Sequence, residues 1–146
     1  NISIYYESWE THPLPEDTLA QLNYSQHYPH PKAATYFQNL HALPWETKQD
    51  VHSQFTLIKR ADSIENISVK DCFHLIYFDA FGYGVQPDLW TEGVFTKMYE
   101  ALQSGGVLVT YASKGIVRRT LIKVGFQVEK LPGPPGKREM LRAIKR

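Results

Sequence analysis

The chain has 146 residues, of which 42% are hydrophobic and 21% charged, and a net charge of +1. That balance suits one domain, residues 1–146, with a real core, and excludes a disordered chain. No apolar run is long enough for a bilayer span, and no secretory leader is legible. The single cysteine, Cys72, excludes a disulfide framework and a cysteine-based metal site. It reads as a small buried side chain of a cytoplasmic protein.

The chain begins at Asn1, not Met, and runs directly into a strand pattern over Ile2–Trp9. This is expected of a fragment whose upstream part is missing. Glu10 closes the strand. Pro13 and Pro15 mark a turn, and Glu16–Asn23 predicts a short helix with acids in its first turn. The stretch 24–50 carries three prolines, His27, His30 and His41, and predicts a loop-rich excursion with one helix near Ala33–Leu40. The histidines match no metal-ligand spacing, so no metal is expected. Trp45 and its aromatic neighbours are expected to cover the sheet or a ligand pocket.

Phe55–Lys59 predicts a further strand, followed by Asp62 and one helical turn over Ser63–Ile67. The large apolar residues of Phe73–Phe78 predict a strand buried on both faces, ending in Asp79. A carboxylate at the carboxyl end of such a strand sits where open α/β sheets bind ligands. The alternative is an aspartate that caps the next turn. Pro87–Gln103 predicts a helix with Trp90, Val94, Phe95, Met98 and Leu102 on one stripe and Gly105 as its stop. Val107–Tyr111 predicts a buried strand, and Lys114–Val124 a helix capped by Ser113 and ended by Gly125. Phe126–Leu131 and Glu139–Ile144 predict an antiparallel hairpin around a proline-rich turn.

Strand–helix alternation with a terminal hairpin predicts an α/β fold with an open, mostly parallel sheet. Three strands end in an acid: Glu10, Asp62 and Asp79. In a doubly wound sheet the first can bind ribose hydroxyls of a nucleoside cofactor, and the second can accept from an adenine amino group. From Lys114 onward there are ten Lys and Arg against Glu129 and Glu139, which suggests either a polyanion partner or a solvated basic surface.

Four segments carry a specific likeness: FDAF at Phe78–Phe81, QPDLWTEGVF at Gln86–Phe95, GGVLVTYASKGIVRRTL at Gly105–Leu121 and PGPPGKREML at Pro132–Leu141. In combination they resemble the tRNA 5-methylaminomethyl-2-thiouridine methyltransferases, a family that includes half of a bifunctional wobble-uridine enzyme. The resemblance covers essentially the whole chain. It implies a class I, Rossmann-like methyltransferase fold, with S-adenosyl-L-methionine (SAM) as cofactor and the anticodon stem-loop of tRNA as partner. It implies methyl transfer to the amino group of 5-aminomethyl-(2-thio)uridine at the wobble position. Glu10 matches the ribose-binding acid, Asp62 the acid beside adenine, and Asp79 the active-site acid, which also belongs to the cofactor site. Arg118, Arg119, Lys137 and Arg138 match basic positions on the tRNA side. The family's first strand and glycine-rich loop would lie upstream of Asn1, so the fragment alone is expected to bind SAM weakly and to be inactive. Gly82-Tyr83-Gly84 stands where the family often has a proline, which predicts a looser loop there.

The expected chemistry is direct attack by a neutral amine on the SAM methyl, with Asp79 orienting the amine and then taking its proton. Phe81, Tyr83 and Trp90 are candidates to stack on an extruded base, although Trp90 also fits the core. Competing readings are a non-catalytic RNA- or nucleotide-binding domain, a SAM enzyme for a small molecule and a nicotinamide-dependent oxidoreductase.

Overall fold

Ile4–Trp9 forms strand β1 in the computed structural model of the protein, which describes residues 2–146. Two short helices, α1 (Glu16–Leu19) and α2 (Tyr24–His27), and a longer one, α3 (Ala33–Ala42), lead to strands β2 (Gln49–His52) and β3 (Phe55–Arg60). The expected helix over Glu16–Asn23 is therefore a single turn. Its cap, Pro15, has no side-chain acceptor to hold a longer one. β1 runs parallel to β3, and β2 runs antiparallel to β3, giving a three-stranded sheet in the order β1-β3-β2. β3 supplies the buried Leu57, Ile58 and Lys59. These elements make up the first of two compact units, residues 1–64.

The second unit, residues 65–146, holds a four-stranded sheet in the order β4-β5-β7-β6. Its strands are β4 (Phe73–Tyr77), β5 (Leu102–Thr110), β6 (Gln127–Pro132) and β7 (Glu139–Ile144). β4 is parallel to β5, whereas β5–β7 and β6–β7 are antiparallel, so the terminal hairpin forms as predicted. β4 is not buried on both faces. Leu75 is 44% and Tyr77 66% exposed, because β4 ends its sheet and, among the described residues, only β5 pairs with it. Cys72 is likewise exposed, one residue before β4.

The helix predicted over Pro87–Gln103 is broken. Pro87–Trp90 is a 3-10 turn, and α4 (Glu92–Ala101) starts at Thr91, whose hydroxyl caps Val94 N–H. Leu102 already belongs to β5, and Gly105 (φ 79°) bends that strand instead of ending the helix. α5 (Gly115–Val124) begins after Lys114, which gives no side-chain cap, so Ser113 is not the cap. Gly125, at φ 118°, ends α5 in the left-handed conformation that glycine tolerates.

α4 buries Val94, Phe95, Met98 and Ala101, and α5 buries Val117 and Leu121. With Leu108, Phe126, Leu141 and Ala143 they form the core of this unit. Phe78, Trp90 and Phe95 make an aromatic cluster with ring centroids 5.2–6.2 Å apart, tilted or edge to face. Such pairs add to the area term, each by about 0.5–1.5 kcal/mol. The cluster lies directly behind the loop that follows β4.

Candidate functional site

The ladder between β4 and β5 continues past β4, since Phe78 N–H donates to Val109 O at 2.9 Å. The next residue, Asp79, therefore leaves the sheet at its carboxyl edge, beside the end of β5. Two side chains fasten the loop it opens. Tyr111, just beyond β5, donates its hydroxyl to Ala80 O at 2.7 Å, and Trp90 Nε1–H donates to Phe81 O at 2.8 Å. Gly82 O accepts from both Val85 N–H and Gln86 N–H, closing a turn around Tyr83. The loop expected to be loose is thus held at three consecutive carbonyls, because the aromatic core supplies donors that the missing proline would not.

The Tyr111 phenol is pushed above its ordinary value, first by burial and second by the negative charge of Asp79. It stays protonated as the donor to Ala80. Lys137 Nζ lies 4.0 Å from the centre of the Tyr111 ring, and Lys114 Nζ lies 5.8 Å from that of Tyr83. These cation–π contacts hold two ammonium groups over aromatic faces.

A cavity of about 470 Å³ opens here, lined by Gly82, Tyr83, Tyr111, Ser113, Lys114 and Lys137, with Ala112, Arg138 and Glu139. Glu139 is paired with Lys130 at 2.9 Å. Among the described residues no ion pair neutralises Lys114, Lys137 or Arg138. The cavity is therefore positive with aromatic walls. The β6–β7 turn delivers Lys137 and Arg138. Gly133 lets it close, since a Cβ there would stand 2.5 Å from Lys137 O. A second cavity of about 450 Å³ is lined by Tyr83, Trp90, Glu92, Ile116, Arg119 and Lys123, among others.

The predicted residues thus separate. Tyr83, Lys137 and Arg138 line the first cavity, and Asp79 acts electrostatically on its Tyr111. Arg119 lines the second cavity and Arg118 neither. Arg118 is half-buried, and its Nε has no hydrogen-bond partner among the described residues. The Phe81 ring is 72% exposed and lines neither cavity, whereas Trp90 is 2% exposed and belongs to the core. Tyr111, Ser113 and Lys114 were not singled out from sequence as site residues. The signal for Tyr111 was available: it ends β5 as Asp79 ends β4, at the edge where ligands bind.

In the first unit, Glu10 and Asp62 follow the carboxyl ends of the adjacent parallel strands β1 and β3, whose final residues, Trp9 and Arg60, are in register. Glu10 N–H donates to Arg60 O at 2.9 Å, and its carboxylate accepts His12 N–H at 2.7 Å. Asp62 accepts Ser63 N–H at 2.7 Å. Both acids thus stand at one edge of this sheet. Arg60 is held by Glu46 at 3.3 Å and Glu7 at 3.8 Å. Lys59 is buried, donates to His41 O at 2.8 Å and lies 4.9 Å from the Trp45 ring centre. Burial lowers its pKa, and lowers that of His41 with help from the Lys59 charge. Among the described residues no three His, Cys, Asp or Glu side chains gather as metal ligands. No helix among them is long and apolar enough to cross a membrane.

The fold is that of the class I methyltransferases. The chain superposes over 98% of its length on 43% of MnmC2 from Aquifex aeolicus, with a TM-score of 0.69 and 20% identity. A family of S-adenosyl-L-methionine-dependent methyltransferases matches residues 25–146, and the chain belongs to it. Its cofactor is SAM. The likeness read from the motifs is borne out by curated relatives. The bifunctional tRNA 5-methylaminomethyl-2-thiouridine biosynthesis protein MnmC of Actinobacillus pleuropneumoniae is 28% identical over 149 aligned positions, covering 94% of this chain and 22% of that protein. Its counterpart in Ralstonia nicotianae is 42% identical over 64 positions, covering 44% of this chain and 10% of that protein. The chain thus spans about a fifth or less of the curated relatives it matches.

Proposed function

We propose that residues 1–146 form part of a tRNA methyltransferase domain acting on the amino group of 5-aminomethyl-(2-thio)uridine at the wobble position. The observation that carries this reading is the first cavity together with the acid whose charge reaches its wall. Asp79 does not itself line the cavity, but its charge acts on the phenol of Tyr111, which with Tyr83 walls a pocket charged by Lys114, Lys137 and Arg138. An amine-bearing nucleotide in RNA needs all three: an acceptor for the amine, a face for the base and cations for phosphate. The names of the curated relatives point to the same modification.

SAM supplies an electrophilic methyl on a sulfonium. Glu10 offers carboxylate oxygens for two ribose hydroxyls, and Asp62 an acceptor for the adenine amino group, so the donor set suits a nucleoside. Asp79 accepts a hydrogen bond from the attacking amine and thereby turns its lone pair toward the methyl. Methyl transfer, with the methyl–sulfur bond broken and a neutral thioether left behind, would make the nitrogen cationic, and Asp79 would take its surplus proton. Because a carboxylate also favours the ammonium form, orientation is its first duty and proton acceptance its second.

Asp79→Ala in the intact enzyme should leave SAM binding largely intact and lower turnover on an anticodon stem-loop by about a hundredfold or more. Turnover near wild type would reduce Asp79 to a turn residue. Efficient methylation of the free nucleoside, without salt-dependent RNA binding, would assign the site to a small molecule instead.

A further inference from the structure

Tyr83 has a property that the reaction itself does not require: it lines both cavities of the second unit. Gly82 and Gly84 flank it, and a Cβ on either would come to 3.7 Å from the Tyr111 hydroxyl or the Lys114 ammonium. The turn closed on Gly82 O fixes the backbone below the ring. Lys114 stands over that ring and lines only the first cavity. The second cavity has its own cation, Arg119, beside apolar walls from Pro87, Trp90 and Ile116. Its other ammonium, Lys123, is taken by Glu92 at 2.6 Å. Among the described residues no ion pair occupies Arg119. Each cavity, at about 470 and 450 Å³, lies in the range that accepts a nucleotide-sized ligand.

We propose that the two cavities are consecutive nucleotide subsites of one RNA strand, with Tyr83 as the partition between them. This rests on the RNA reading given above. The first cavity takes the nucleotide to be methylated, and the second takes a neighbour in the anticodon loop. Arg119 meets the phosphate of that neighbour, and its base packs on Tyr83. An aromatic ring with an unpaired cation on each side is the arrangement that single-stranded nucleic acid fills, because every base has a face to stack and every linkage a charge to neutralise. A lone small substrate would leave the second cavity without a role.

The test places an abasic nucleotide on one side or the other of the target in an anticodon stem-loop and measures affinity for the intact enzyme. One of the two positions should weaken binding about tenfold in the wild type, the scale of one lost base–aromatic stack. In Tyr83→Ala that abasic penalty should vanish, and in Tyr83→Phe it should persist. An abasic penalty of equal size in the wild type and in Tyr83→Ala, or none at either position, overturns the second subsite while leaving the tRNA reading intact. Failure of the wild type to bind any stem-loop overturns both. The abasic series on the wild type tests the second subsite without any variant, and the comparison with Tyr83→Ala assigns its stacking face to Tyr83.

Discussion

Tyr111→Phe deletes one oxygen and keeps the ring, which makes it the sharpest probe of how the acid-bearing loop is held. The edge contact with Trp90, at 6.4 Å, and the Lys137 ammonium over the ring both survive the change. What disappears is the 2.7 Å hydrogen bond to Ala80 O. A neutral hydrogen bond contributes about 0.5–1.5 kcal/mol net, and an acceptor left half-buried without a partner raises the loss toward about 1–3 kcal/mol. For a chain of this size that corresponds to a fall in melting temperature of roughly 3 °C or more.

The Phe81 anchor from Trp90 remains, so the loop loosens only at Asp79 and Ala80. Turnover should drop about tenfold to a hundredfold, the range expected when a catalytic group is misplaced by about an ångström. SAM affinity should not move. The pH dependence supplies an independent check. The folded state holds the phenol proton above its ordinary value of 10.0, through burial first and Asp79 second. Above that pH the unfolded chain loses the proton while the folded chain keeps it. The stabilisation is therefore full below about pH 10 and is lost as pH rises through the folded-state value. Phenylalanine has no such proton, so the stability gap between wild type and variant should narrow above pH 10 in denaturant titrations. Equal turnover and equal stability in the two proteins would refute the claim that Tyr111 holds the loop.

The paired arginines should behave differently. Arg119→Ala should weaken stem-loop binding and flatten its salt dependence by about one phosphate contact, whereas Arg118→Ala should leave the slope unchanged; the reverse pattern, in titrations from low to high salt, would refute the assignment of Arg119 to the RNA. Amide hydrogen exchange on residues 1–146 should divide β4 by parity: Ile76 and Phe78 N–H face β5 and should be protected, while Leu75 and Tyr77 N–H face away and should exchange readily. Protection at all four would mean that another strand, from a second copy or from elsewhere, covers this edge.

Much of the fold was legible because its signals are local. The limits of β7, the start of α3 and the stop at Gly125 are set by pattern, punctuation and backbone preference. Adjacent acids after β1 and β3 were legible for the same reason. What failed required knowledge of neighbours. The apolar run of β4 announces a strand, but nothing in it reveals that Leu75 and Tyr77 are exposed. β2 was missed because Gln49–His52 is short and polar and becomes a strand only by pairing with β3. Gly105 was rightly seen as a special backbone position, yet a positive φ serves a helix stop and a bent strand equally. Arg118 and Arg119 differ by one position, and only the orientation of α5 tells which one reaches a cavity.

Cys72 is exposed and is the one thiol in the sequence. It precedes β4 by one residue, and Asp79 follows the same strand at its other end. At about 3.3 Å per residue, roughly 20 Å separate the two. Within residues 1–146 a maleimide dye would therefore sit at a single known point, remote from the acid yet within energy-transfer reach of it. Arrival and departure of a stem-loop carrying the matching dye could then be timed one molecule at a time.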